Sequence, residues 1–121
     1  LSVDFITDID NPNEMIAPMI LLPFVENAFK HGAAESRFHS FVHIYIKVKN
    51  KNLIFNVENS VELSSPKDYH SGIGLNNVRR QLELLYPGHE LKIEERPESF
   101  FISLRLNLNV YEETILPDHR G

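Results

Sequence analysis

From Leu1 to Thr7 apolar and polar residues alternate, the period of a short β-strand. Asp8 to Asn13, Asp-Ile-Asp-Asn-Pro-Asn, is turn chemistry. Pro18 to Gly32 follows a helical period, with Gly32 as its stop and Lys30 and His31 in its last turn. Pro23 lacks an N–H, so this helix either kinks there or starts there. Ala33 to Ser40 reads as a polar loop. In Phe41 to Lys49, Val42, Ile44, Ile46 and Val48 fall on one face and His43, Tyr45, Lys47 and Lys49 on the other. Asn50-Lys51-Asn52 predicts a hairpin turn, and Leu53 to Val57 the return strand.

Glu58 to Ser71 is rich in Ser, Glu, Lys and Asp and predicts a loop. Gly72 to Tyr86 predicts a second helix, ended by Pro87-Gly88, with Leu75, Val78, Leu82 and Leu85 as its core stripe. Glu90 to Glu95 and Phe100 to Leu108 predict two more strands around a turn at Pro97. Val110 to Gly121 carries no pattern and predicts a tail. Two helices among hairpin strands imply an α+β domain over residues 1–109. The expected architecture is a two-layer α/β sandwich, with a mixed, mostly antiparallel sheet and helices on one face.

Composition narrows the function classes. The 121 residues are 42% apolar and 24% charged, enough for one hydrophobic core and unlike a disordered chain. There is no cysteine, which removes disulfides, zinc fingers and thiol nucleophiles. The longest apolar run, Met15 to Val25, is broken by Pro18 and Pro23 and falls short of the roughly 20 residues that span a membrane. A net charge of −5 gives no basic footprint for nucleic acid, so an anionic ligand needs a local site. The chain opens on Leu1 and at once reads as a strand, as a piece of a longer protein does.

Two segments hold unusual chemistry. On a helical wheel Leu21, Leu22, Val25, Ala28 and Phe29 gather on one side, and Pro23, Glu26, Asn27, Lys30 and His31 on the other. Asn is a poor interior helix residue because its side chain competes for backbone hydrogen bonds, which suggests a task for the amide oxygen. The plainer alternative is a wet helix face whose Lys and His suit the C-terminal dipole. In Ser71-Gly-Ile-Gly-Leu-Asn-Asn-Val-Arg-Arg80 a polar loop enters a helix. Gly72 and Gly74 permit close backbone approach, and the free first-turn amides suit phosphate. Asn77, Arg79 and Arg80 add donors. It is neither a Rossmann fingerprint nor a P-loop, and the plainer alternative is a glycine start to a core helix.

Taken together, the two segments resemble sensor histidine kinases. Pro23-Phe-Val-Glu-Asn-Ala-Phe-Lys-His-Gly32 is similar to their N box, and Gly72-Ile-Gly-Leu-Asn-Asn-Val-Arg-Arg-Gln-Leu-Glu-Leu-Leu-Tyr-Pro87 to their second glycine box. The wording is closest to the LytS-like branch. The resemblance implies the catalytic ATP-binding domain, with the Bergerat (GHKL) fold. It implies Asn27 as a Mg²⁺ ligand and Lys30 and His31 near the phosphates or ribose. Gly72, Gly74 and Leu75 would form the phosphate cradle, and Asn77 and Arg79 further polar contacts. The first glycine box, usually Asp-x-Gly, departs from the pattern, because Asn59 stands at the Asp position and the glycine is missing. An Asn oxygen can still accept from the adenine amino group. Glu58 is the alternative, and since strand neighbours face opposite ways only one of the two can serve. Asn59 is the preferred assignment. Val61 to Ser71 would be an ATP lid, with Lys67, Tyr69 and His70 as contacts.

The implied reaction is Mg-ATP-dependent phosphoryl transfer to a histidine in an upstream dimerisation domain that this chain lacks. The isolated chain should therefore bind ATP and turn over little. Pro23 stands where ATP-hydrolysing cousins place a glutamate base, and Glu26, beside Asn27, is the candidate catalytic carboxylate, the plainer alternative being an i+4 pair with Lys30. Implied partners are a second kinase protomer and a response regulator. The parent would be anchored in the inner membrane, with this domain on the cytoplasmic side and without membrane contact of its own. The competing expectation is a degenerate GHKL module acting as a pseudokinase or protein-interaction regulator.

Overall fold

The structure, a computed structural model, describes residues 1–14, 16, 20–32, 40–61 and 73–109. In chain order the elements are β1 (Ser2–Ile9), α1 (Leu22–Gly32), β2 (Phe41–Lys49), β3 (Asn52–Ser60), α2 (Ile73–Leu85), β4 (Glu90–Glu95) and β5 (Ser99–Asn107). One five-stranded sheet has the order β1-β2-β3-β5-β4. β1 runs parallel to β2, and every other pair is antiparallel. This is the α+β two-layer architecture that the alternating pattern implies.

Period two builds the sheet's covered face. Ile44 and Val48 of β2 lie in register with Val57 and Leu53 of β3, and Val57, Phe55 and Leu53 in turn with Ile102, Leu104 and Leu106 of β5, and all are buried. Phe24 and Ala28 of α1, and Leu75, Val78 and Leu82 of α2, join them in one core cluster. The Phe24 ring lies 6.0 Å from that of Phe55, tilted by 44°, within the range in which aromatic pairs attract.

The β2–β3 turn has two residues, Asn50 and Lys51, with φ of 50° and 66°. Such positive φ values match the strand twist, and Asn accepts them readily. The Asn50 N–H donates to Asp10 Oδ2 at 2.8 Å, and Lys51 Nζ pairs with Glu14 at 2.8 Å, so the turn also ties down the segment after β1.

The structure corrects several expected boundaries. α1 starts at Leu22, which places Pro23 in the first turn, where a missing N–H costs nothing. The first amides after it, those of Phe24 and Val25, donate to Leu21 O. The covered stripe of α1 is Phe24 with Ala28, whereas Leu22, expected in the core, is 43% exposed. Leu85 is only half-buried, and Tyr86 takes its place in the core. β1 reaches Ile9, and all eight of its residues are exposed in spite of the alternation. β3 runs on to Ser60, so Glu58 and Asn59 are strand residues rather than loop. Pro18, the segment 33–39, the expected lid from 62 onward and the tail from 110 lie outside the described residues.

The opposite face of the sheet carries polar and charged side chains. Glu58 accepts from Ser99 Oγ at 2.6 Å and from Arg96 at 3.0 Å, and Arg96 also pairs with Glu94 at 2.7 Å. The guanidinium sits 4.3 Å from the centre of the Phe101 ring. The bond to Glu94, then that to Glu58, holds the Arg96 pKa above its ordinary value.

Phe55→Ala, which removes the largest side chain at the centre of the covered face, should lower unfolding free energy by about 3–5 kcal/mol, read from the midpoint of urea denaturation.

Candidate functional site

The last residues of β3 continue its alternation. Leu53, Phe55 and Val57 face the helices, so Asn59 faces them too, opposite Val42 on β2 and Phe100 on β5. It is 2% exposed. Its Nδ2 donates to Ser60 O at 3.0 Å, and its Oδ1 takes no hydrogen bond among the described residues. The carboxamide is thereby fixed with its donor engaged by the backbone. Glu58 points to the other face, where Ser99 and Arg96 engage it. Asn59 thus lies on the helix side of the sheet and Glu58 does not.

Ser60 holds this strand end. It too is buried, its Oγ accepting from the Phe41 N–H at 2.9 Å and lying 3.5 Å from Phe41 O. That bonding stitches the end of β3 to the start of β2 and positions Asn59. The sequence offered one signal for it, a small hydroxyl directly after Asn59, which the loop assignment concealed.

α1 packs on β2 and β3 and touches α2. With Phe24 and Ala28 turned inward, helical geometry places Asn27 and His31 on the adjoining flank, and both are half-buried. Glu26 and Lys30 fall on the solvent side and are exposed. The four polar residues expected together therefore divide into an inner pair and an outer pair. Asn27 Nδ2 is buried with no hydrogen-bond partner. Such an unmet group costs about 1–3 kcal/mol, and rotation about χ2 exchanges the nitrogen for the oxygen.

At the other helix, Ile73, Gly74 and Leu75 form the first turn of α2, whose amides have no carbonyl four residues earlier in the helix to bond. The Leu75 side chain belongs to the core, which leaves its backbone for any ligand. Asn77, Arg79 and Arg80 are exposed. Gly72, Lys67, Tyr69 and His70 lie outside the described residues.

No group of three His, Asp or Glu side chains among the described residues could hold a metal. A lone amide oxygen suits Mg²⁺ only where phosphate oxygens and waters complete the octahedron. Asn27, whose buried Nδ2 has no partner among the described residues and whose oxygen a χ2 rotation would bring to the same place, fits that partial role.

No protein-family model matches the chain. Among solved structures, the histidine kinase domain of the Erythrobacter litoralis EL346 blue-light activated histidine kinase superposes with a TM-score of 0.65 at 16% identity, covering 97% of this chain and 57% of that one. The catalytic domain of histidine kinase ThkA, in a nucleotide-free form, gives 0.58 at 18% identity, covering 87% and 78%. The chain has the fold of a histidine kinase catalytic domain.

Sequence relatives agree with that fold. The sensor histidine kinase BtsS of Escherichia coli (strain K12) is 30% identical over 95 residues, 77% of this chain. YwpD of Bacillus subtilis (strain 168) is 27% identical over 108 residues, 80% of this chain. The chain spans 17% of BtsS and 38% of YwpD. No helix among the described residues of this histidine kinase-like domain is long and apolar enough to cross a membrane.

Asn59→Asp replaces the donor to Ser60 O with a carboxylate facing a carbonyl. The buried charge raises the carboxyl pKa in the folded state above the unfolded value of about 3.9. Stability is then full below that unfolded value and lost as pH rises through the folded one. The variant should be less stable than the parent by about 1–3 kcal/mol at neutral pH, with the gap closing at acid pH, as thermal melts across pH would show.

Proposed function

We propose that this domain binds Mg-ATP and presents its γ-phosphoryl group for transfer to a histidine carried on another domain. The observation that carries the reading is Asn59: a buried carboxamide on the helix side of the strand end, its donor engaged and its oxygen bonded to no donor among the described residues, within a histidine kinase catalytic fold. An available oxygen at that point suits the amino group of adenine. It disfavours guanine and hypoxanthine, which present a carbonyl there and would leave two acceptors facing each other.

In this reading Asn27 supplies an oxygen to Mg²⁺, with His31 beside it on the inner flank of α1. The first-turn amides of α2, from Gly74 and Leu75 together with Gly72, take the phosphates, and the dipole of α2 favours their charge. Asn77 and Arg79, exposed on the same helix, are the added donors. Lys30 and Glu26, exposed on the outer side of α1, are open to a histidine delivered by a separate domain. Glu26 then orients the acceptor and Lys30 neutralises phosphate charge. Bound Mg²⁺ supplies charge neutralisation of the transferring group, and the domain's contribution is position and electrostatics.

A phosphoacceptor and dimerisation domain, a second protomer and a response regulator are the partners this activity requires. BtsS is a sensor histidine kinase, and the same arrangement here would place the domain on the cytoplasmic side of a membrane-anchored parent. The LytS-like assignment rests on the wording of the two boxes.

Calorimetric titration with ATP and a non-hydrolysable analogue should show Mg²⁺-dependent binding that weakens at least about tenfold in Asn27→Ala, a loss of about 1.4 kcal/mol. Binding that fails at millimolar ATP in a folded protein would instead support the degenerate-module reading, with Asn59 in place of Asp as the cause.

A companion titration separates the two β3 residues. Asn59→Ala should lose about tenfold or more in ATP affinity, whereas Glu58→Ala, on the far face, should bind as the parent does. ATP should bind at least about tenfold more tightly than GTP or ITP.

A further inference from the structure

β1 lies at the end of the strand order, so among the described residues one of its edges pairs with no strand. The Ser2 N–H donates to Ser40 O at 3.0 Å, and the Asp10 N–H to Val48 O at 3.1 Å. Even-numbered amides thus point inward, and alternation turns those of Val3, Phe5, Thr7 and Ile9 outward. The strand is also unusually apolar for an edge. Among the described residues, five of the seven exposed large hydrophobic ones are Leu1, Val3, Phe5, Ile6 and Ile9, with Phe5 at 64% and Ile6 at 58%. Edge strands are ordinarily protected by charge. Here the charges on β1 are already engaged by β2, with Asp4 3.3 Å from His43 and Asp8 2.9 Å from Lys49. The bond to Asp8 holds the Lys49 pKa above its ordinary value.

We propose that β1 pairs antiparallel with β1 of a second copy of this chain, across a two-fold axis at Phe5, joining the two sheets into one. A two-fold axis normal to the sheet sets one residue opposite itself, which leaves few registers to weigh. An axis at Asp4 sets two carboxylates face to face. One at Ile6 sets Asp4 opposite Asp8 on both sides of the axis, and one at Thr7 sets Asp4 opposite Asp10. Like charges directly opposite destabilise a strand pair. An axis at Val3 avoids this but leaves Ile6 and Ile9 uncovered. The axis at Phe5 uses the whole strand: Leu1 faces Ile9 of the second copy, Val3 faces Thr7, Asp4 faces Ile6, and Ser2 faces Asp8. It also opposes the residues whose amides point outward, so Phe5 and its counterpart exchange both hydrogen bonds. The surface lies apart from the residues assigned to nucleotide and does not depend on that assignment.

Sedimentation velocity of the 121-residue chain, from micromolar to near-millimolar concentration, should show a monomer–dimer equilibrium. Phe5→Lys brings two ammonium groups together at the axis and should weaken the dimer at least about tenfold. Ile6→Lys faces Asp4 of the second copy and should keep or tighten it. Far-UV circular dichroism checks that both variants remain folded, as expected for exposed positions.

A second test is independent of charge. The chain has no cysteine. Opposed Cα atoms in a hydrogen-bonded antiparallel pair lie about 5.5 Å apart, within disulfide range. Copper-catalysed air oxidation should therefore cross-link Phe5→Cys and leave Thr7→Cys without a covalent link. The proposal is overturned by a parent that stays monomeric throughout, by a dimer that survives Phe5→Lys, by one lost in Ile6→Lys, or by cross-linking at position 7 and not at 5.

Discussion

The period-two alternation of β3 is the constraint on which the rest depends. It is the central strand, paired on both sides, so its facing dictates that of β2 and β5. A one-residue slip would exchange Phe55 and Val57 for Ile54, Asn56 and Glu58 on the helix side and empty the core of its central ring. The same parity carries a polar residue, Asn59, into the covered layer. Burial there is tolerable because Nδ2 bonds Ser60 O and Ser60 in turn is bonded to Phe41. The site's polar group is thus held by the register that builds the core.

The two faces of the sheet have separate tasks. On one side, helices cover an apolar surface, and their termini and flanks bring Asn27, His31 and the first turn of α2 to that layer. On the other side, Glu58, Arg96, Glu94 and Ser99 tie the end of β3 to β4 and β5. That network is half-exposed, and surface ion pairs contribute little each. Its use is to keep the strand ends in line, at the same level of the sheet as Asn59.

Much of this was legible in the sequence. Alternation located four of the five strands to within a residue or two, apart from the far end of β3, and the spacing of Leu75, Val78 and Leu82 described the inner face of α2. The resemblance of the segments around Asn27 and Gly74 to two kinase boxes anticipated the fold that the structural neighbours share. Misreadings arose where local pattern was a poor guide to surroundings. Glu58 to Ser60 are polar and read as loop, yet pairing on both sides keeps them in strand. Leu22 is apolar and read as core, yet Phe24 and Ala28 occupy the inward side of a helix that starts at Leu22.

The sequence by itself determined the elements, their order and the chemical vocabulary of the site, because periodicity, turn residues and short motifs are local properties of the chain. Tertiary structure alone decided which carboxamide or carboxylate at the end of β3 faces the helices, which polar residues of α1 lie on its inner flank, and that β1 joins as a parallel edge strand with its apolar residues exposed. Those outcomes depend on where a strand ends, which neighbour it pairs with and what covers it. They are set by contacts between segments far apart in the chain, and no local pattern encodes them.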